Sequence, residues 1–120
     1  MKKCLDTYAL VEIGKANPKF TVYFEEELVI TDLTLAEFYF VILKEDNQKS
    51  ADYWFRKLEP YSVGVNKEIL KTAMDYRYNN KKRRISFFDA VGYIYAVKNN
   101  LIFVTGDKEF ENIKKVEFKK

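Results

Sequence analysis

Four carboxylates stand where their surroundings do not ask for charge: Asp6, Glu37, Asp89 and Asp107. Asp6 ends a short apolar start. Glu37 shares an otherwise apolar run, 33–43, with Thr34 alone as polar company. Asp89 interrupts the apolar stretch that begins at Phe87, and Asp107 comes three residues after Val104, where a second apolar run ends. Taking a carboxylate out of water is costly unless a cation compensates. Four such groups brought together repel one another and raise their own pKa values. A hard divalent cation, Mg²⁺ or Mn²⁺, resolves both problems, because it prefers carboxylate oxygens and water and keeps positions open for phosphate. One such ion positions a water and lowers its pKa, and a second stabilises a leaving oxygen. That is the chemistry of phosphodiester hydrolysis. It needs no histidine, and the chain has none. The lack of histidine removes the commonest general base, the triads that depend on it and most zinc sites.

The elements that must position these acids are legible as alternating strands and helices. Residues 2–5 read as a strand ended by Asp6, and 7–13 as a short helix with Gly14 as its C-cap. Asn17-Pro18 opens another helix, cap residue then proline, with Phe20, Tyr23 and Phe24 inward. Residues 28–30 form a second strand. Thr31, Asp32 or Thr34 caps the next helix, which runs to about Lys44; a helix apolar nearly all round reads as buried. Residues 45–50 read as a loop, 51–58 as a helix, and 61–65 as a third strand. Asn66 caps a helix to about Tyr78 with Ile69, Leu70, Ala73 and Tyr76 inward. A basic loop, 79–84, follows. The helix after Ser86 carries an apolar stripe of Phe87, Phe88, Val91, Tyr95 and Val97, and Asn99-Asn100 breaks it. Residues 101–104 are a strand apolar enough to be covered on both faces, and 116–118 form the last one.

This alternation predicts an α/β fold, three layers α/β/α around a mainly parallel central sheet. Ligands in such sheets bind outside the carboxyl ends of the strands. Asp6 and Asp107 directly follow strands there. Glu37 and Asp89 lie in the first turns of helices that start at that edge. Topology therefore brings all four acids to one side. Simpler readings stay open at each position. Thr34-x-x-Glu37 and Ser86-x-x-Asp89 both match a capping box, and Asp6 and Asp107 each suit an N-cap.

At 120 residues, with 48% apolar and 17% aromatic content, the chain reads as one domain, 1–120, with a dense core. Cys4 is the one cysteine, and it reads as a small buried hydrophobe. The N-terminus lacks the apolar stretch of a signal peptide, and no run approaches the roughly 18 apolar residues of a membrane helix. A cytoplasmic location follows. A net charge of +3 permits contact with a polyanion.

Four segments together, CLDTYALV, VITDLTLAEF, ISFFDAVGYIYA and FVTGDKEF, resemble those of a PIN-domain ribonuclease of the kind found as the toxin in VapBC toxin–antitoxin pairs. The first carries Asp6 after a strand, the second Glu37 and the third Asp89. The fourth matches a T-x-D-x-x-F ending with Thr105, Asp107 and Phe110. The resemblance implies a metal-dependent endoribonuclease, an RNA substrate, a small antitoxin partner that covers the acidic pocket, and a homodimer. It assigns Asp6, Asp89 and Asp107 as ligands of Mg²⁺ or Mn²⁺, direct or through water, and Glu37 as a ligand or as the group that orients the attacking water. Thr105 bonds an acid or a metal-held water, or is a local turn hydroxyl; Thr7 reads as structural. Lys81, Lys82, Arg83 and Arg84 precede the Asp89 helix and suit RNA phosphates, or form a solvated loop. Of Tyr53, Trp54 and Phe55, Trp54 reads as core and the others as an interface. Two departures stand out: Tyr8 replaces a small hydroxyl residue, and Gly92, Tyr93 and Tyr95 make the Asp89 helix bulkier. A nuclease-inactive interaction module and a stand-alone RNA-processing nuclease are the alternatives. A phosphoacceptor receiver domain fits less well, because Asp6 has no acidic neighbour.

Overall fold

The computed structural model describes residues 2–120. Five strands form one sheet: β1 (Lys3–Leu5), β2 (Leu28–Thr31), β3 (Ser62–Val63), β4 (Ile102–Thr105) and β5 (Val116–Phe118). Their order is β3-β2-β1-β4-β5, and every pairing is parallel. The register places Leu5 beside Val104 and Cys4 beside Val29 and Phe103. The helices are α1 (Thr7–Gly14), α2 (Pro18–Thr21), α3 (Asp32–Glu45), α4 (Gln48–Leu58), α5 (Lys67–Asn79) and α6 (Phe87–Lys98).

The alternation of side chains along each strand sorts the interior into two cores. Cys4, Val29 and Phe103 face one, with Ile69 and Ala73 of α5 and Ala90, Val91, Tyr93 and Ile94 of α6. Leu5, Ile30 and Val104 face the other, with Ala9, Leu10 and Ile13 of α1, Phe20 of α2, and Leu35 and Phe38 of α3. These are the three layers the alternation predicts. The chain steps outward from β1 through β2 to β3, then returns to place β4 on the other side of β1. Segments leaving β1 and β4 therefore part in opposite directions, and a crevice opens at their carboxyl ends.

Several local expectations change. The helix over 33–44 does not lie buried: only Thr34, Leu35 and Phe38 of α3 are buried, and Phe40 is 58% exposed. Apolar composition set no limit on its outer face, because among the described residues nothing covers Phe40. The α6 stripe is broader than predicted on one side and shorter on the other. Ala90 through Ile94 and Ala96 are all buried, while Val97 is exposed. Here α6 packs against both the sheet and α5. Gly92 makes the close approach possible, since a Cβ there would sit 2.8 Å from the Phe103 ring. The turn after α1 is made by Ala16 at φ 59° rather than by Gly14. Helix α4 starts inside the expected loop because Asn47 caps it, its side chain accepting from Ser50 N–H. The third strand shrinks to Ser62–Val63. Trp54 packs edge-on to Phe38 while Tyr53 is 51% exposed.

Candidate active site

Asp6 stands at the crevice between β1 and β4, and extends their pairing by donating its N–H to Val104 C=O at 3.1 Å. Its carboxylate is 2% exposed. One oxygen accepts from Ala9 N–H at 2.8 Å, which caps α1; the other accepts from the Thr105 hydroxyl at 2.5 Å. The cap reading and the site reading are thus both satisfied by one side chain. Thr105, fully buried at the end of β4, also accepts from Asp107 N–H at 3.0 Å. Asp107 in turn accepts from Glu109 N–H at 2.9 Å and starts a short 3₁₀ turn, Lys108–Phe110. Thr105 is therefore a bridge between two acids 101 positions apart in sequence terms at Asp6 and Asp107.

The helix acids are held differently. Thr31, not Thr34, caps α3, accepting from Thr34 N–H at 3.1 Å. This removes the capping-box reading of Glu37, which lies a turn too far along. Glu37 instead accepts a short hydrogen bond from the Thr7 hydroxyl. Ser86 caps α6, accepting from Asp89 N–H at 3.1 Å. The Asp89 carboxyl lies near enough to Asp6, Glu37 and Asp107 for all three negative charges to bear on it.

The electrostatics follow from this crowding. Burial pushes Asp6 up to about 7, with the Thr105 and Ala9 hydrogen bonds opposing and the charges of Asp107 and Glu37 adding to it. Burial pushes Asp89 up to about 8, reinforced by Asp6, Glu37 and Asp107. Among the described residues none of the four acids joins a salt bridge. The donor set, all oxygen and uncompensated, suits a hard divalent cation. Among the described residues no three acidic or thiol side chains stand in ion-holding geometry, so the donors are gathered at one edge but not closed.

Four residues gain a place at this edge that their sequence context did not reveal. Thr7 reads as structural from sequence, yet it holds Glu37. The Tyr8 ring fills the space that a Cβ on Gly106 would take, so Tyr8 and Gly106 fit only as a pair beside Asp107. Arg83 is not free like its neighbours. Its guanidinium donates twice to Glu109 C=O, at 2.7 and 3.1 Å, whereas Lys81, Lys82 and Arg84 are exposed. The signal available for Thr7 was its place one residue after a buried acid; for Arg83 there was none, because all four cations are adjacent.

Residues 3–116 match the family described as PIN domain, and the chain belongs to that family. No curated relative matches its sequence. Solved structures with the same fold include VapBC-1 from nontypeable Haemophilus influenzae, 22% identical, TM-score 0.74, covering 99% of this chain and 97% of that one. VapBC2 from Rickettsia felis, bound to a DNA fragment from its promoter, is 21% identical with TM-score 0.73 and covers 100% of both chains. The Mycobacterium tuberculosis VapC20 toxin, described as cleaving the sarcin-ricin loop, is 14% identical with TM-score 0.73 and covers 82% of this chain and 83% of that one.

Proposed function

We propose that this PIN-domain chain is a metal-dependent endoribonuclease, the toxin of a VapBC-type pair, with residues 1–120 acting as one unit in the cytoplasm. The observation that carries the reading is the buried Asp6 and the half-buried Asp89, set in one crevice with Glu37 and Asp107, where among the described residues no salt bridge compensates any of the four. Asp6, Asp89 and Asp107 would hold Mg²⁺ or Mn²⁺. When bound, such an ion supplies Lewis-acid chemistry, activating water and stabilising the leaving oxygen of a phosphodiester. Thr105 keeps the Asp6 carboxylate turned toward the crevice. Glu37, oriented by Thr7, is placed to align a water or accept its proton. Lys81, Lys82 and Arg84, exposed in the loop before α6, supply charge for RNA phosphates.

The apolar outer face of α3 and α4 supports the partner reading. Phe40 and Tyr53 are exposed there, and a groove between Tyr39, Phe55 and Arg56 adjoins them. Large exposed aromatics suit the core of a protein interface, and the fold neighbours are toxin–antitoxin complexes. A small antitoxin and a second copy of this chain are the proposed occupants. Among the described residues no helix is long and apolar enough to cross a membrane.

The test is RNA cleavage by the purified protein with Mg²⁺ or Mn²⁺ added. Cleavage should stop on chelation and in Asp6→Asn or Asp89→Asn protein that remains folded. Cleavage that survives both substitutions would sink the site assignment. A folded wild type that cuts no RNA, alone or freed from a partner, would favour an interaction module instead.

A further inference from the structure

We propose that Arg83 is a positioning residue for Asp107, and not one of the cations that meet RNA; the inference rests on the nuclease reading above. Each of its three guanidinium nitrogens is engaged. Nε and Nη2 donate to Glu109 C=O at 3.1 and 2.7 Å, and Nη1 donates to the Tyr76 hydroxyl at 2.7 Å and to Asn80 Oδ1 at 3.4 Å. The group lies over the Tyr76 and Phe110 rings, 5.4 Å from each centroid. Among the described residues it has no carboxylate partner.

What it grips matters. The peptide group of Glu109 is held on the outside by Arg83 through its carbonyl, and on the inside its N–H donates to the Asp107 carboxylate. Phe110, completely buried, donates its N–H to Asp107 C=O and anchors the end of the turn. Thr105 accepts from Asp107 N–H on the other side. Asp107 is thus fixed between Thr105 and a turn whose far wall is Arg83. Arg83 also ties that turn to α5 and its C-cap, through Tyr76 and Asn80, and the chain runs on from it into α6, which carries Asp89 in its first turn. The distance between Asp89 and Asp107 therefore depends on the Arg83 latch. Lysine cannot replace it, because the contact needs a planar fork on one carbonyl and two ring faces.

The experiment compares Arg83→Lys, Arg83→Gln and Tyr76→Phe with wild type in three measurements on folded protein: Mn²⁺ affinity by calorimetry, kcat and KM for RNA cleavage, and the nuclear magnetic resonance signals of the Asp107 carboxyl carbon and Glu109 amide. Partners that orient metal ligands typically carry 10- to 100-fold of affinity or activity. The expected result for Arg83→Gln is about tenfold weaker Mn²⁺ binding, a lowered kcat at unchanged KM, and displaced Asp107 and Glu109 signals, with Arg83→Lys rescuing little and Tyr76→Phe giving a smaller change of the same kind. A raised KM and a salt dependence reduced by about one phosphate contact, at unchanged Mn²⁺ affinity, would make Arg83 an RNA contact and overturn the proposal. So would a lower melting temperature with all three readouts unmoved. If wild type itself binds no Mn²⁺ and cuts no RNA, the nuclease reading fails, while the Asp107 and Glu109 signals still decide whether Arg83 sets that turn.

Discussion

Asp6 and Asp89 stand at the same edge and carry the same charge, yet they are held in opposite ways. Asp6 belongs to a frame of backbone groups: it continues the β1–β4 pairing, caps α1 and takes the Thr105 hydroxyl. Asp107 is framed likewise by Thr105 and Glu109. Among the described residues the Asp89 carboxyl has no such donor and is crowded by the other three acids, and Glu37 accepts from the Thr7 hydroxyl alone. One half of the crevice is therefore held by backbone groups at the sheet edge, and the other half by fewer hydrogen bonds. Under the nuclease reading, the strand-end pair would offer the fixed ligands of a divalent ion and the helix pair would complete the set. The difference also separates the roles that a single substitution would expose.

The largest effect is expected on cleavage. Asp89→Asn and Asp6→Asn should each bring RNA cleavage below detection, measured on protein whose circular dichroism is unchanged. The two sites should part when truncated to alanine. Asp6→Ala loses a cap and leaves the buried Thr105 hydroxyl without its acceptor, so chemical denaturation should show a loss of about 2 kcal/mol. Asp89→Ala removes a carboxyl that no protein donor stabilises and should lose no stability in chelator; an equal loss at both positions would erase the contrast between them.

Smaller is the effect of Gly106→Ala, about 1 kcal/mol destabilising, because the added methyl meets the Tyr8 ring. Tyr8→Ala should recover part of it in the double variant, and strict additivity in thermal melts would count against the pairing. A pH slope is expected as well. Both acids titrate higher in the folded chain, about 7 and about 8, than the ordinary carboxyl value of roughly 4 in the unfolded one. Between those values the folded state binds more protons, so stability is full at the acid end and falls as pH rises toward 8. In chelator the melting temperature should drop markedly between about pH 5 and pH 8. Asp89→Asn should flatten that slope, and Mn²⁺ should reverse it; a rise with pH in the wild type would contradict the placement of these acids.

The strand and helix order was readable because side-chain period and cap residues are local signals. Asn17-Pro18, Asn66 and Ser86 each cap the helix expected of them. The acidic edge followed from that order alone, since an acid after a parallel strand and an acid early in the next helix share one side of the sheet. Less legible was burial. Helices α3 and α6 have similarly apolar sequences, but α6 is enclosed by the sheet and α5, whereas α3 leaves Phe40 in solvent. Composition cannot distinguish them, because covering a face depends on what the rest of the chain brings to it.

The sequence alone thus carried the α/β alternation, the four acids and the edge where they meet, all consequences of local periodicity and chain direction. Only the tertiary structure separated Arg83 from Lys81, Lys82 and Arg84, joined Thr7 to Glu37 and Thr105 to Asp6, and matched Tyr8 to Gly106. Each of those relations links segments far apart in the chain or picks one residue out of a uniform run. They depend on distances of a few ångströms that no local signal encodes.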